Sequence, residues 1–149
     1  MRVLVIYAST HGETQEIADA IAGELRAQGL EADAVGAEAV HELDCDAVIL
    51  GSAVRSGRWR REAQPVLHDF GDALGAMPFW VFSCGPLAEP AAGETLGDRW
   101  VESQHTIAEA VRLDARDHAV FAGSTAEHAE QIRTWAQGIA HDLEAIATP

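Results

Sequence analysis

Polar and apolar positions along this chain follow two rhythms in turn. Residues 2–7 (RVLVIY) form a short run of mostly branched apolar side chains, the character of a parallel strand buried on both faces. Behind it, Ile17, Ile21 and Leu25 recur every fourth residue with Ala18 and Ala22 beside them, predicting a helix that stops at Gly29. Residues 31–36 (EADAVG) read as a weaker strand nearer an edge, and residues 46–52 (DAVILGS) as a strand apolar almost throughout. A helix is expected over about 60–74; Pro65 is tolerable only in a first turn, which moves the start a few residues beyond Trp59. Residues 79–84 (FWVFSC) and 118–124 (HAVFAGS) predict the fourth and fifth strands. A helix over about 98–113 is expected between them, and a last one over about 126–146.

Strand and helix alternate without a repeat, a linker or a shift of composition. That predicts a single domain over 1–149, an open α/β sheet with helices on both faces. In such sheets ligands bind beyond the carboxyl ends of the strands, where the winding direction reverses. Three loops fall at that edge, residues 8–13, 52–59 and 84–97, and function is expected there.

Composition narrows the chemistry. A chain of 149 residues, 48% hydrophobic and 23% charged, suits one core. Its net charge of −14 argues against nucleic acid or an anionic membrane as partner, since phosphates would be repelled. The charge favours a basic partner protein, or serves solubility alone. All ten basic residues other than histidine are arginines. Without lysine there is no Walker-type phosphate loop, no Schiff base to a pyridoxal cofactor and no phospho-acceptor receiver site. Cys45 and Cys84 stand apart with no CxxC pair, which suggests a reducing compartment and two small core fillers. Neither has an arginine six residues on (Gly51 and Pro90 stand there), so a tyrosine-phosphatase nucleophile is excluded. The start reads as a strand rather than a leader, and no window approaches the roughly 20 apolar residues of a membrane span. A cytoplasmic protein without stable membrane insertion is expected.

The first loop, Ala8-Ser9-Thr10-His11-Gly12-Glu13-Thr14, runs from a strand into a helix N-terminus. Free backbone N–H groups and the helix dipole favour an anion there, Ser9, Thr10 and Thr14 add hydroxyl donors, and Gly12 permits close approach. The same residues also suit a plain N-cap without a ligand. In the second loop, Ser52-Ala53-Val54-Arg55-Ser56-Gly57-Arg58-Trp59, the arginines are notable in so acidic a chain. They form either a solvated basic patch with Arg60 and Arg61 or an anion contact. The third loop opens with Ser83-Cys84-Gly85-Pro86, a tight-turn sequence. His41, His68, His105, His118, His128 and His141 are scattered without metal-ligand spacing, and Trp80, Trp100 and Trp135 read as packing residues.

The stretch YASTHGET, placed after the first strand, resembles the phosphate loop of the flavodoxins, and the length and element order resemble a short-chain flavodoxin over essentially the whole chain. VILGSAVRSGRW and MPFWVFSCGPL are more similar to a branch of flavodoxin-domain proteins that includes the menaquinone-dependent protoporphyrinogen dehydrogenases. The resemblance implies a doubly wound five-stranded parallel sheet of order 2-1-3-4-5 and flavin mononucleotide (FMN) as cofactor. It carries over residue by residue: Ser9, Thr10, His11, Gly12, Glu13 and Thr14 to the phosphate, Ser52 to Trp59 along one side of the flavin, and Ser83, Cys84, Gly85 and Pro86 to its ring edge. Trp59 is then the stacking candidate, its alternative a hydrophobic staple for the next helix; Arg55 and Arg58 would sit near the flavin pyrimidine or meet a substrate carboxylate. Cys84 reads as a packing residue beside the flavin.

Two departures from the family pattern stand out, His11 in place of a common threonine and Glu13 in place of an amide or hydroxyl residue. Three arrangements accommodate Glu13: its side chain in solvent while its backbone N–H serves the anion, its carboxylate at the helix N-terminus, or an offsetting charge on a protonated His11. The first is expected, because flavodoxin-type cradles rely on backbone and hydroxyl donors rather than cations. The implied function is an FMN-binding redox protein that carries electrons or performs a small flavin-dependent reduction, with a redox partner protein or a quinone as counterpart. The alternatives are a quinone-linked dehydrogenase of the protoporphyrinogen type and a flavin-free binding module of the same fold. Against the former stands the short path from HAVFAGS to the last helix, where those enzymes carry a long insertion.

Overall fold

Strand β1 (Arg2–Ala8) lies inside a parallel sheet, with β2 (Glu31–Gly36) on one side and β3 (Ala47–Arg55) on the other. The computed structural model describes residues 1–8, 12–55, 58–59, 64–84, 115–121 and 128–147. The two-residue strand β4 (Arg58–Trp59) folds back on the end of β3, and β5 (Phe79–Cys84) and β6 (His118–Phe121) complete the sheet. The order is β2-β1-β3-β5-β6, with β4 antiparallel to β3 and off the main path. Without β4, this is the expected five-stranded parallel order, 2-1-3-4-5.

Alternation along each strand divides the core into two. Val3 and Val5 of β1, Ala47 and Ile49 of β3 and Trp80, Phe82 and Cys84 of β5 face one side. Leu4, Ile6 and Ala8, Val48 and Leu50, and Phe79 and Val81 face the other. Both sets are buried, as expected of strands that carry helices on each face.

The first side is closed by α1 (Glu13–Ala27) and α4 (Ala129–Ala147). The predicted stripe of Ile17, Ala18, Ile21, Ala22 and Leu25 is fully buried, and Ile132, Ala136, Ile139, Ala140 and Leu143 do the same for α4. Gly29 (φ 92°) ends α1, and the Leu30 N–H donates to the Leu25 carbonyl at 3.1 Å, the wrap of a Schellman motif.

The second side carries α2 (Gln64–Asp69) and α3 (Gly71–Gly75), with Val66, Leu67 and Leu74 in its core. The sequence predicts one helix over about 60–74, and the structure breaks it at Phe70 (φ −107°, ψ 17°). Gly71 follows directly, and a glycine inside a helix costs about 1 kcal/mol relative to alanine, so the interruption falls where propensity is weakest. Pro65 lies in the first turn of α2, where its missing N–H is harmless. The helix expected over about 98–113 lies outside the described residues.

Candidate functional site

The carboxyl edge of the sheet is a register row. Ala8 of β1 pairs with Ser52 of β3, Ser52 with Ser83 of β5, and Ala53 with Cys84. Ser52 and Ser83 are buried, and both belong to the side of the sheet that carries Leu50 and Val81. Cys84 faces the other way, into the core beneath α1 and α4. Ser52 Oγ donates to the Ala53 carbonyl at 2.9 Å. Ser83 Oγ stands 2.8 Å from Nε2 of His118, which burial holds below the ordinary histidine pKa against the opposing charge of Asp117.

Helix α1 begins at the same edge, just after β1. Its cap is Gly12 in the left-handed region (φ 85°); among the described residues no side chain caps the helix and nothing lies within 4 Å of where a Cβ would stand. The Glu16 N–H donates to the Gly12 carbonyl at 3.0 Å, so the backbone N–H groups of residues 13–15 precede the first intrahelical bond. Thr14 is fully buried in this first turn, and among the described residues its Oγ1 is a buried side-chain polar atom without a hydrogen-bond partner. An orphaned buried hydroxyl costs about 1–3 kcal/mol; at a helix N-terminus, an oxyanion would satisfy it.

The second loop begins later than the sequence suggests. β3 runs on through Val54 and Arg55, beyond the last partners of β1 and β5, and turns back as a hairpin that sets Val54 opposite Trp59 and Arg55 opposite Arg58. Ser9, Thr10, His11, Ser56, Gly57, Gly85 and Pro86 lie outside the described residues. The structure therefore brings Gly12, Glu13 and Thr14 to the same sheet edge as Ser52, Ala53, Ser83 and Cys84, with Val54, Arg55, Arg58 and Trp59 on the hairpin above it.

His118 is the residue that sequence reading passed over. It is 35 residues from Ser83, and only the β5–β6 register, which sets it opposite Val81, reveals the pair. Among the described residues no group of three or more His, Cys, Asp or Glu could hold a metal ion. A shallow cleft between β6 and α4, lined by Ala119, Glu130, Gln131, Thr134 and Trp135, contains none of the predicted site residues. Among the described residues no helix is long and apolar enough to cross a membrane.

Residues 4–137 match a family profile described as a flavodoxin domain. Protoporphyrinogen IX dehydrogenase [quinone] of Escherichia coli strain K12 is 28% identical over 91 residues, which cover 59% of this chain and 50% of that protein. The chain thus spans about half the length of the curated relatives it matches. A flavodoxin from the domain Archaea superposes with a TM-score of 0.71 at 15% identity, covering 97% of this chain and 99% of the other. Rubredoxin:oxygen oxidoreductase of Desulfovibrio gigas gives a TM-score of 0.75 at 19% identity, covering 99% of this chain and 37% of that one. Flavodoxin 2 of Bacillus cereus gives 0.67 at 25% identity, covering 95% and 99%.

Proposed function

The chain belongs to the flavodoxin domain family, and from that membership we propose that it binds FMN and works as a redox protein. The observation that carries the reading is the buried Thr14 hydroxyl at the α1 N-terminus, without a hydrogen-bond partner among the described residues, behind a glycine with no Cβ to obstruct an approaching phosphate. The backbone N–H groups of the first turn and Thr14 Oγ1 donate to the phosphate, which explains how a chain without lysine holds a dianion. Ser9, Thr10 and His11 contribute from the preceding loop, while Glu13 contributes its backbone N–H. Residues of the 52–59 and 83–86 segments flank the flavin ring and exclude water from it.

When bound, FMN supplies the transfer of one or two electrons, and the protein sets affinity and potential. The net charge of −14 suits steering of a basic redox partner protein. The setting is cytoplasmic. A quinone is the second candidate counterpart, favoured by the 28% identity to a quinone-dependent protoporphyrinogen dehydrogenase over 59% of this chain.

Purified protein is expected to be yellow and to carry about one FMN per chain. A colourless preparation that also fails to take up added FMN overturns the reading. Substituting Glu13→Asn leaves FMN affinity unchanged if the carboxylate faces solvent and tightens it if the carboxylate faces the phosphate. Reduction of a quinone by the reduced protein, compared with reduction of a basic redox protein, separates the two counterparts.

A further inference from the structure

Ser83 and His118 make a polar contact at positions where the sheet could have carried apolar side chains. The register sets His118 opposite Val81 and Val120 opposite Ser83. The imidazole therefore leans two residues along the strand, a diagonal reach open to a long side chain, and brings Nε2 within 2.8 Å of Ser83 Oγ. Valine at 120 offers no side-chain hydrogen bond, so the partner of Ser83 on β6 is the histidine. Ser52, the register partner of Ser83 on β3, bonds locally instead, donating to the Ala53 carbonyl at 2.9 Å.

The contact does little to hold β5 and β6 together. Replacing both members of a buried hydrogen-bonded pair by apolar groups of the same shape is nearly neutral or stabilising, and the backbone ladder already joins the two strands over four register pairs. Burial also disfavours the charged imidazole. What a satisfied buried polar pair supplies is direction, since it holds a side chain and the backbone behind it in one arrangement. A serine side chain chooses among staggered rotamers, and the bond to Nε2 selects one.

That direction is given at a particular place. Ser83 is the last residue but one of β5, in the carboxyl-edge row with Ala8 and Ser52. Cys84 follows and is buried on the opposite face, in the core beneath α1 and α4. The end of β5 is thereby pegged from both faces, by packing at Cys84 and by a hydrogen bond at Ser83. Asp117 secures the far side of the contact. Its Oδ1 accepts from the His118 N–H at 2.8 Å and its Oδ2 from Trp135 Nε1 at 3.1 Å, which anchors His118 to α4 as well as to the sheet.

We propose that His118 is a positioning residue for the flavin site: through Ser83 it fixes the end of β5, and with it the 83–86 segment that meets the flavin ring edge. The inference rests on the flavin reading above and adds to it a residue of the last strand that acts through Ser83 rather than on the cofactor itself.

The test compares binding of FMN and of riboflavin, which carries the ring without the phosphate, to the full chain by flavin fluorescence quenching. His118→Phe and Ser83→Ala are each expected to weaken both ligands by the same factor, about tenfold. The double variant is expected to be no weaker than either single one, because all three remove the same contact. His118→Gln, whose amide can still bond a hydroxyl, retains most of the parent affinity. The midpoint potential of bound FMN shifts equally in His118→Phe and Ser83→Ala and returns towards the parent value in His118→Gln. Melting midpoints of the flavin-free proteins identify a variant that fails to fold; Ser83→Ala, which removes one oxygen, and His118→Gln then carry the comparison.

Unchanged affinities in a folded His118→Phe or Ser83→Ala overturn the proposal. So do losses that add in the double variant, which would mean that the two residues act separately. A loss confined to FMN, with riboflavin unmoved, places the effect at the phosphate and overturns the ring-edge assignment. Lower melting midpoints with an unmoved flavin potential make the pair structural only and overturn it as well. A parent chain that binds neither flavin drops the flavin reading and this inference with it. A parent that binds both, with indifferent variants, drops the inference alone.

Discussion

Ser83 Oγ and His118 Nε2 lie 2.8 Å apart, a side-chain contact between β5 and the last strand of the sheet. Burial keeps His118 neutral further into acid than an exposed histidine, with Asp117 acting against the shift. The unfolded chain binds the proton near the ordinary histidine pKa of about 6.5, before the folded chain does. The contribution of His118 to stability is therefore fully present above that value and falls as pH drops towards the depressed folded pKa. Urea midpoints measured between neutral and mildly acidic pH are expected to decline for the parent chain, and His118→Gln is expected to flatten this part of the decline. Parallel declines in both proteins would assign the effect to other groups.

Thr14→Val should have opposite signs in the two forms of the protein. Valine keeps the shape and removes a buried hydroxyl that has no partner among the described residues, so the FMN-free chain should be unchanged or more stable by about 1 kcal/mol. FMN affinity should fall about tenfold or more, since a hydrogen bond to a charged group is lost. Flavin fluorescence quenching and thermal melts of the flavin-free protein measure the two effects. If Thr14 is only a packing residue, FMN affinity will not move.

The contrast between Thr14 and His118 marks how far the site was legible. YASTHGET announced a strand, a glycine and a helix N-terminus within eight residues, and local chemistry sufficed to place Thr14 there. The strand of residues 79–84 matched in full because an apolar run bounded by turn residues has few alternatives, and the weaker EADAVG at 31–36 matched through the alternation of exposed Glu31 and Asp33 with buried Ala32. The extension of β3 through Arg55 was missed because AVRSGRW carries arginines, serine and glycine and reads as loop; backbone pairing with Arg58–Trp59 overrides that composition. His118 was invisible because, although the two strands were expected to be neighbours, its partner is set by their register, which no local pattern around HAVF encodes.

Gly51 is a position where space decides. It pairs with Phe82 across β3 and β5, and a Cβ on Gly51 would fall 2.0 Å from Cζ of that ring. Phe82 is itself fixed among Phe121 and Trp135, with centroids 6.0 and 6.1 Å away, so the ring has little room to retreat. Gly51→Ala is expected to destabilise the chain by about 3 kcal/mol, the upper part of the range for overpacking. Combining it with Phe82→Leu should recover part of that loss, measured as a positive coupling in a double-mutant cycle by urea unfolding. Strict additivity of the two changes would mean that the ring is not the obstacle.

Among the described residues β6 is the last strand of the sheet, and its outer edge is chemically blocked, which bears on whether a second copy can add a strand there. Parallel pairing with β5 turns the backbone groups of His118 and Val120 outward, where among the described residues no strand pairs with them. Asp117 Oδ1 accepts from the His118 N–H at 2.8 Å, and Gln131 Nε2 of α4 donates to the Val120 carbonyl at 3.3 Å. The other carboxylate oxygen of Asp117 accepts from Trp135 Nε1 at 3.1 Å, which ties this plug to the same helix. Gln131→Ala should cost little stability, about 0.5 kcal/mol, since the bond is exposed. Its larger effect should be on association, because the freed carbonyl can accept a strand from a second copy. Sedimentation velocity should then show concentration-dependent dimer in Gln131→Ala, and adding Val120→Lys should suppress it by placing a charge on the edge. A Gln131→Ala protein that sediments as the parent does at every concentration would mean that the short length of β6 alone protects the edge.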